Sequence, residues 1–227
     1  MTAQLVKLQA SPDLVDQVYQ ALLDAISDGS LAPGARITQE DLAERLAVSR
    51  QPVLQALRLL KKDGLVSDAP GRGLLVAPLD AGWIAHTYQV RGALDALAAR
   101  LAAEQHALFD PRLIEQGRRA ARGRNVKAMI EADIAFHSAI YAASGNPLID
   151  ATAQLHWVHL KRVMGAVLQV STQREAIWDE HAAIAAAIGS GDAELAARLI
   201  DQHGAHASET LLARLGAVLN PPSRNTS

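Results

Sequence analysis

Residues Thr38 to Leu60, TQEDLAERLAVSRQPVLQALRLL, decide how this chain is read. Thr38 stands at a helix N-cap with Asp41 three residues on, a near capping box, and Leu42, Ala43 and Leu46 fall on one face at helical spacing. Ala47-Val48 makes a corner. Ser49 then suits the N-cap of a second helix, Pro52 falls in its first turn where a missing N–H costs nothing, and Val53, Leu57 and Leu60 form its inward stripe. The second helix opens with the hydroxyl, guanidinium and amide of Ser49, Arg50 and Gln51. Such side chains reach base edges while the N-terminal backbone N–H groups face phosphate. From Arg45 to Lys62 the chain has five cations (Arg45, Arg50, Arg58, Lys61, Lys62) and no acid, although its net charge is -2. Local charge, not the total, decides contact with nucleic acid.

Downstream, Leu65-Val66-Ser67 and Leu74-Leu75-Val76 are short β-prone runs around the Pro and Gly punctuation of Asp68-Ala69-Pro70-Gly71-Arg72-Gly73, which predicts a hairpin with an arginine near its tip. Upstream, Ser11-Pro12-Asp13 caps a predicted helix from about Asp13 to Ser27, carrying Leu14, Val18, Leu22 and Ile26 on one side. The order helix, helix, reading helix, hairpin, with Leu31-Ala32-Pro33-Gly34, Val48-Ser49-Arg50-Gln51-Pro52-Val53 and Asp63-Gly64-Leu65-Val66, resembles the winged helix-turn-helix domain of GntR-type transcription factors over residues 10 to 77. Gln39-Glu40 stands where that family usually has a Glu-Arg pair, and Leu54 where it has an arginine. In this reading Ser49, Arg50 and Gln51 read bases, Arg58 and the lysines sit on phosphate, and Arg72 enters the minor groove from the wing.

At 227 residues, 49% hydrophobic and 20% charged, the chain has length and apolar content for two domains. It has no cysteine, hence no disulfide or thiolate ligand, and no apolar run near the roughly 20 residues of a membrane span. These features, with no signal peptide ahead of the first helix, set the expectation of a soluble, cytoplasmic protein. The expected division is a winged helix-turn-helix domain at 1–76, a linker at 77–82, an all-helical domain at 83–219 and a disordered polar tail at 220–227. The fold class is therefore mainly α. From Trp83 on the chain is Ala- and Leu-rich, and helices are predicted at about 81–107, 111–122, 127–143, 147–169, 172–189 and 192–216. Asp80, Asp110-Pro111, Asn146-Pro147, Ser171 or Thr172, and Asp192 mark starts, while Gly145 and Gly189-Ser190-Gly191 mark stops.

Within this half, Asp133 and His137 lie four apart on one predicted helix face, and His181 and His203 lie on two later helices that must turn to the same core. Three imidazoles and a carboxylate suit a divalent transition metal, Zn, Ni, Mn or Fe with Zn ranked first, at about 2.0 to 2.2 Å, and argue against Ca or Mg. The same spacing also suits hydrogen-bonded core histidines. Arg91-Gly-Ala-Leu-Asp95, Asp133-x-x-Phe136-His137, Ser144-Gly145-Asn146, Glu180-His181-x-x-Ile184 and Gly191-Asp192 ahead of His203 resemble the FCD ligand-binding domain of the FadR branch, over residues 83 to 216. The resemblance implies that Asp133, His137, His181 and His203 hold an ion.

A metal held by four protein atoms keeps positions for the oxygens of a small carboxylate effector, with an arginine to neutralise its charge. The resemblance puts Arg91 on the helix that lines such a pocket; Arg162 and Arg174 are further candidates. The expected function is that of a ligand-responsive repressor, a homodimer on a palindromic double-stranded DNA site with no membrane partner. The alternative is a metal-dependent enzyme acting on a small carboxylate or sugar acid. No general base, nucleophile elbow or phosphate loop stands at a recognisable spacing from the four ligands.

Overall fold

The computed structural model describes residues 14–168 and 175–219. Arg174, the proposed caps Ser11-Pro12-Asp13 and Ser171 or Thr172, and the tail 220–227 lie outside the described residues. The chain divides into two compact units between Pro78 and Leu79.

The first unit is built on α1 (Leu14–Ser27), α2 (Gln39–Arg45) and α3 (Arg50–Lys62), with strands β1 (Arg36–Ile37), β2 (Val66–Asp68) and β3 (Leu74–Val76). Val18, Leu22, Ile26, Leu42, Val53, Ala56, Leu60, Leu65 and Val76 close its core. Thr38 Oγ1 accepts from the Asp41 N–H at 3.2 Å, capping α2. Ser49 occupies the cap position of α3 with extended backbone but makes no capping hydrogen bond, so its hydroxyl stays available on the exposed face. The strands form an antiparallel sheet in the order β1-β3-β2, Val66 opposite Val76 and Arg36 opposite Leu75. β1 was not predicted, because two residues carry no periodicity. Gly73 is required at its position. With φ +91 and a virtual Cβ only 2.7 Å from the Ile37 carbonyl oxygen, any side chain would collide with β1.

The second unit contains six helices among the described residues: α4 (Ala81–Glu104), α5 (Arg112–Arg122), α6 (Val126–Ala143), α7 (Pro147–Leu168), α8 (Ala176–Ser190) and α9 (Ala193–Leu219). Asp80, Asn146 and Asp192 accept backbone N–H bonds as the sequence implied. Asn125, not among the expected helix starts, caps α6 by accepting from the Ala128 N–H. Four boundaries differ from expectation by more than one residue, among them the end of α9 at Leu219 rather than 216. α4 stops at Glu104 rather than 107, with His106 in a positive-φ conformation, the described α8 begins at Ala176, and the presumed linker 77–82 shortens to Ala77–Asp80 because α4 starts at Ala81. Ala98, Ala99, Ala102 and Ala103, all fully buried, let α4 approach its neighbours closely. They join a core with Phe136, Ile140, Tyr141, Trp178, Ile184 and Ile200, and Ile84, Trp157, Leu160, Leu211 and Leu215 form a second cluster. Between these clusters run the faces of α6, α8 and α9 that carry the candidate ligands.

Candidate functional site

Two places carry chemistry, one in each unit. In the first, Ser49, Arg50, Gln51 and Arg58 lie on the exposed side of α3, and Arg72 is exposed at the hairpin. A groove lined by Glu40, Arg50, Leu54, Arg58, Lys61 and Arg72 runs between α2, α3 and the wing. Folding brings acids to three of the five cations that the sequence showed in a row: Asp41 to Arg45 at 3.4 Å, Glu40 to Arg50, and Asp68 to Lys61 at 2.6 Å. Among the described residues Arg58 and Lys62 keep no acidic partner. Exposed pairs of this kind are worth about 0 to 1 kcal/mol, so phosphate can displace them. Arg36, which the sequence did not single out, holds the wing by donating to the carbonyl oxygens of Arg72 and Pro70, at 2.9 and 2.8 Å. That bond fixes the backbone of Arg72 and leaves its side chain outward.

In the second unit, ligand atoms of Asp133 and His137 on α6, His181 on α8 and His203 on α9 all lie within 4.8 Å of one another. His181 Nε2 is 3.2 Å from His203 Nε2 and 3.6 Å from Asp133 Oδ1. Donors to one ion at about 2.0 to 2.2 Å sit about 3 to 3.5 Å apart, so this spacing fits a shared cation. The three imidazoles are 0 to 4% exposed. Burial first, then the Arg91 charge and the neighbouring imidazoles, hold His137 well below the usual histidine range, and burial with His203 and Arg91 does the same for His181. Neutral imidazoles offer lone pairs. Burial pushes the Asp133 carboxyl up despite Arg91 and His203, a cost that a bound cation would offset. The donor set therefore fits the metal that the sequence suggested.

The surroundings fix these rings. Phe136 stacks on His181 at 4.1 Å and Trp178 meets it edge-on at 4.6 Å. Gly117 of α5 makes room for that indole, since an added Cβ would fall 2.1 Å from Trp178. Glu180 joins two residues about one turn apart on α9. One carboxylate oxygen accepts from His203 Nδ1 at 2.8 Å and the other from His206 Nδ1 at 2.9 Å, bonds that hold Glu180 below the usual carboxylate range. With its Nδ1 held by Glu180, His203 turns its Nε2 toward His181.

A cavity of about 230 Å³ opens on the cluster, lined by Asp133, His137 and His203 and also by Arg91 and Arg214. Arg91 is buried and already engaged. Its Nε lies 3.3 Å from Asp95 Oδ2, it approaches the Tyr141 hydroxyl at 3.4 Å, and its guanidinium lies 3.7 Å over the Trp157 ring. Burial opposes its charge, but Asp95 and Tyr141 keep it protonated. Arg162 is buried on α7 but is not among the described residues lining the cavity, and Arg174 lies outside them. Arg214 was not anticipated from sequence.

The chain matches the gntR family of bacterial regulatory proteins over residues 14–76 and the FCD domain over residues 86–206. It belongs to the GntR family. Within that family its FCD domain sets it in the FadR-like branch, and it is a DNA-binding transcriptional regulator, not an enzyme. It is 29% identical over 191 residues (82% of this chain, 80% of the relative) to an uncharacterised HTH-type regulator from an unstable DNA locus of Streptomyces ambofaciens. It is 24% identical over 216 residues (90% and 92%) to the HTH-type transcriptional repressor RspR of Escherichia coli. The solved structure of E. coli McbR/YncC superposes with a TM-score of 0.76 at 23% identity, covering 91% of this chain and 100% of that one, a likeness of fold. In this GntR regulator, no described helix is long and apolar enough to cross a membrane.

The Glu180 bond predicts a measurable tuning of the metal centre. In the E180Q variant, zinc affinity measured by chelator competition is expected to fall about 10- to 100-fold with the fold retained. Unchanged affinity would show that Glu180 does not orient His203.

Proposed function

We propose that this GntR regulator is a metal-dependent sensor of a small organic acid that represses transcription from a palindromic site as a cytoplasmic homodimer. The observation that carries the reading is the cluster of Asp133 with buried His137, His181 and His203 opening on a cavity, in a chain whose other unit is a DNA-reading head. A divalent transition metal, Zn ahead of Ni, Mn or Fe, supplies a cationic centre for the oxygens of a carboxylate effector. Asp133 supplies the anionic donor and the three histidines supply imidazole nitrogens, with Glu180 orienting His203. Repression follows the name of the relative RspR and the simple effect of a dimer covering its site.

Dimerisation is supported by an apolar stripe. Trp83, Val90 and Leu97 recur every seven residues along α4, 39 to 52% exposed, and Leu148 and Leu155 of α7 are 73 and 69% exposed. Monomers rarely leave such rows bare, and a two-fold pairing covers them with themselves. The pairing sets two α3 helices against successive major-groove faces. A coupling of about 1 to 3 kcal/mol between effector and DNA would shift operator affinity roughly 5- to 150-fold.

Two measurements test the reading. Thermal stability of the zinc-loaded protein is screened against small organic acids, and a hit must alter DNA retention in a gel shift; a metal-loaded protein that ignores every acid would sink the sensing role. On the DNA side, Arg50→Ala is expected to weaken specific binding by about 1 to 3 kcal/mol and blunt discrimination at one base. Unchanged preference would remove Arg50 from base reading and leave it as the partner of Glu40.

A further inference from the structure

Resting on the metal-centred sensing reading, the cavity's own lining narrows the effector class. Along α9 the residues His203, Ala207, Thr210, Leu211 and Arg214 all face the cavity, the last four standing four, seven, eight and eleven residues beyond His203 on one helix face. Eleven residues rise about 16 Å, so His203 and Arg214 line the cavity about three turns of α9 apart. Because helical side chains lean toward the N-terminus, the Arg214 guanidinium leans back over the space rather than away from it. The rest of the lining is largely apolar, from Met129, Met164, Leu168, Ile177 and Leu211, with Tyr88, His206 and Thr210 adding polar groups.

The charges are divided unequally between the two arginines. Arg91 sits at the histidine end, but Asp95 neutralises it, and Tyr141 and Trp157 hold it in place. Half-buried Arg214 has no acidic partner among the described residues. A cation standing beside an apolar channel asks for an anion that reaches it through that channel. A volume of about 230 Å³ corresponds to about eight water-sized parcels, enough for a ligand of about ten non-hydrogen atoms.

We infer that the effector is an elongated dianion with an apolar middle, an α,ω-dicarboxylic acid of about six to eight carbons or its chemical equivalent. One carboxylate lies at the Asp133, His137 and His203 end and the other pairs with Arg214. A short polyacid could serve the histidine end only, and a fatty monoacid would leave Arg214 without an anion.

The test uses the full-length, zinc-loaded protein and four acids: succinate, adipate, suberate and octanoate. Adipate or suberate is expected to bind roughly 10- to 100-fold more tightly than either succinate or octanoate. Arg214→Gln is expected to bring suberate down to the level of octanoate, leaving the affinities for octanoate and for zinc unchanged, and Arg214→Lys to restore part of the preference. Should Arg214→Gln fail to fold, the order of the four acids on the wild-type protein decides alone. Tightest binding of succinate, or a suberate preference that survives Arg214→Gln, would overturn the dianion while leaving metal-centred sensing intact. A zinc-loaded protein that binds none of these acids, nor any in the wider screen, would bring down the sensing reading and the dianion with it.

Discussion

With alanine in place of His181, zinc no longer raises the melting temperature. In the unaltered protein, zinc at about a thousand times its dissociation constant adds about 4 kcal/mol to the folded state. For a protein of this length each kcal/mol moves the midpoint by about 2 to 4 °C, so the expected metal-dependent gain is about 8 to 16 °C. His181 is the member whose loss should remove it, because its Nε2 lies within 3.6 Å of both the Asp133 carboxylate and the His203 ring. The substitution also leaves a gap beside Phe136 and Trp178, so the metal-free variant melts somewhat lower as well. The decisive quantity is therefore the difference between metal-loaded and metal-free melting curves, recorded for both proteins. A variant that keeps the full zinc-dependent shift would show that the ion does not use His181. DNA binding by the effector-free variant should persist, since no residue of the reading head is touched.

The second large effect concerns the buried pair beside the cluster. Arg91→Met is expected to cost about 3 to 5 kcal/mol in urea unfolding, because it strands the Asp95 carboxylate where both side chains are only 4% exposed. Burial already pushes the Asp95 carboxyl up, against Arg91 and the Tyr141 hydroxyl, which donates to it. Removing Arg91 removes the largest of the opposing influences. The double variant Arg91→Met, Asp95→Leu should recover much of the loss, since replacing both members of a buried pair by apolar groups is often neutral. A single variant within about 1 kcal/mol of the parent, or a double variant no better than the single, would mean that the pair is not coupled in this way.

How much of this could be seen in the chain depended on how local each cause was. Asp80, Asn146-Pro147 and Asp192 announced their helices because a cap acts on the next two or three N–H groups. The hairpin announced itself through Pro70, Gly71 and Gly73, for the same reason. β1 could not be seen, since Arg36 and Ile37 become a strand only when β3 lies beside them. The gathering of Asp133 and His137 with His181 and His203 was anticipated from helical spacing and from the family's pattern together. Glu180 was quoted in that pattern without a role: its bonds reach 23 and 26 residues ahead, a distance that no periodicity spans. Arg91 drew attention as a cation, yet its partner stood in plain view as Asp95 four residues on. Arg214 was missed because its value lies in pointing along the same face as His203 three turns earlier, which matters only once the cavity is known.

The covalent leash between the two units is short. Ala77 is pinned by its N–H to the Leu65 carbonyl and Asp80 already caps α4, so only Pro78 and Leu79 provide slack. Four residues reach at most about 14 Å when stretched. Both ends of this leash are thus held by a hydrogen bond that belongs to one unit or the other.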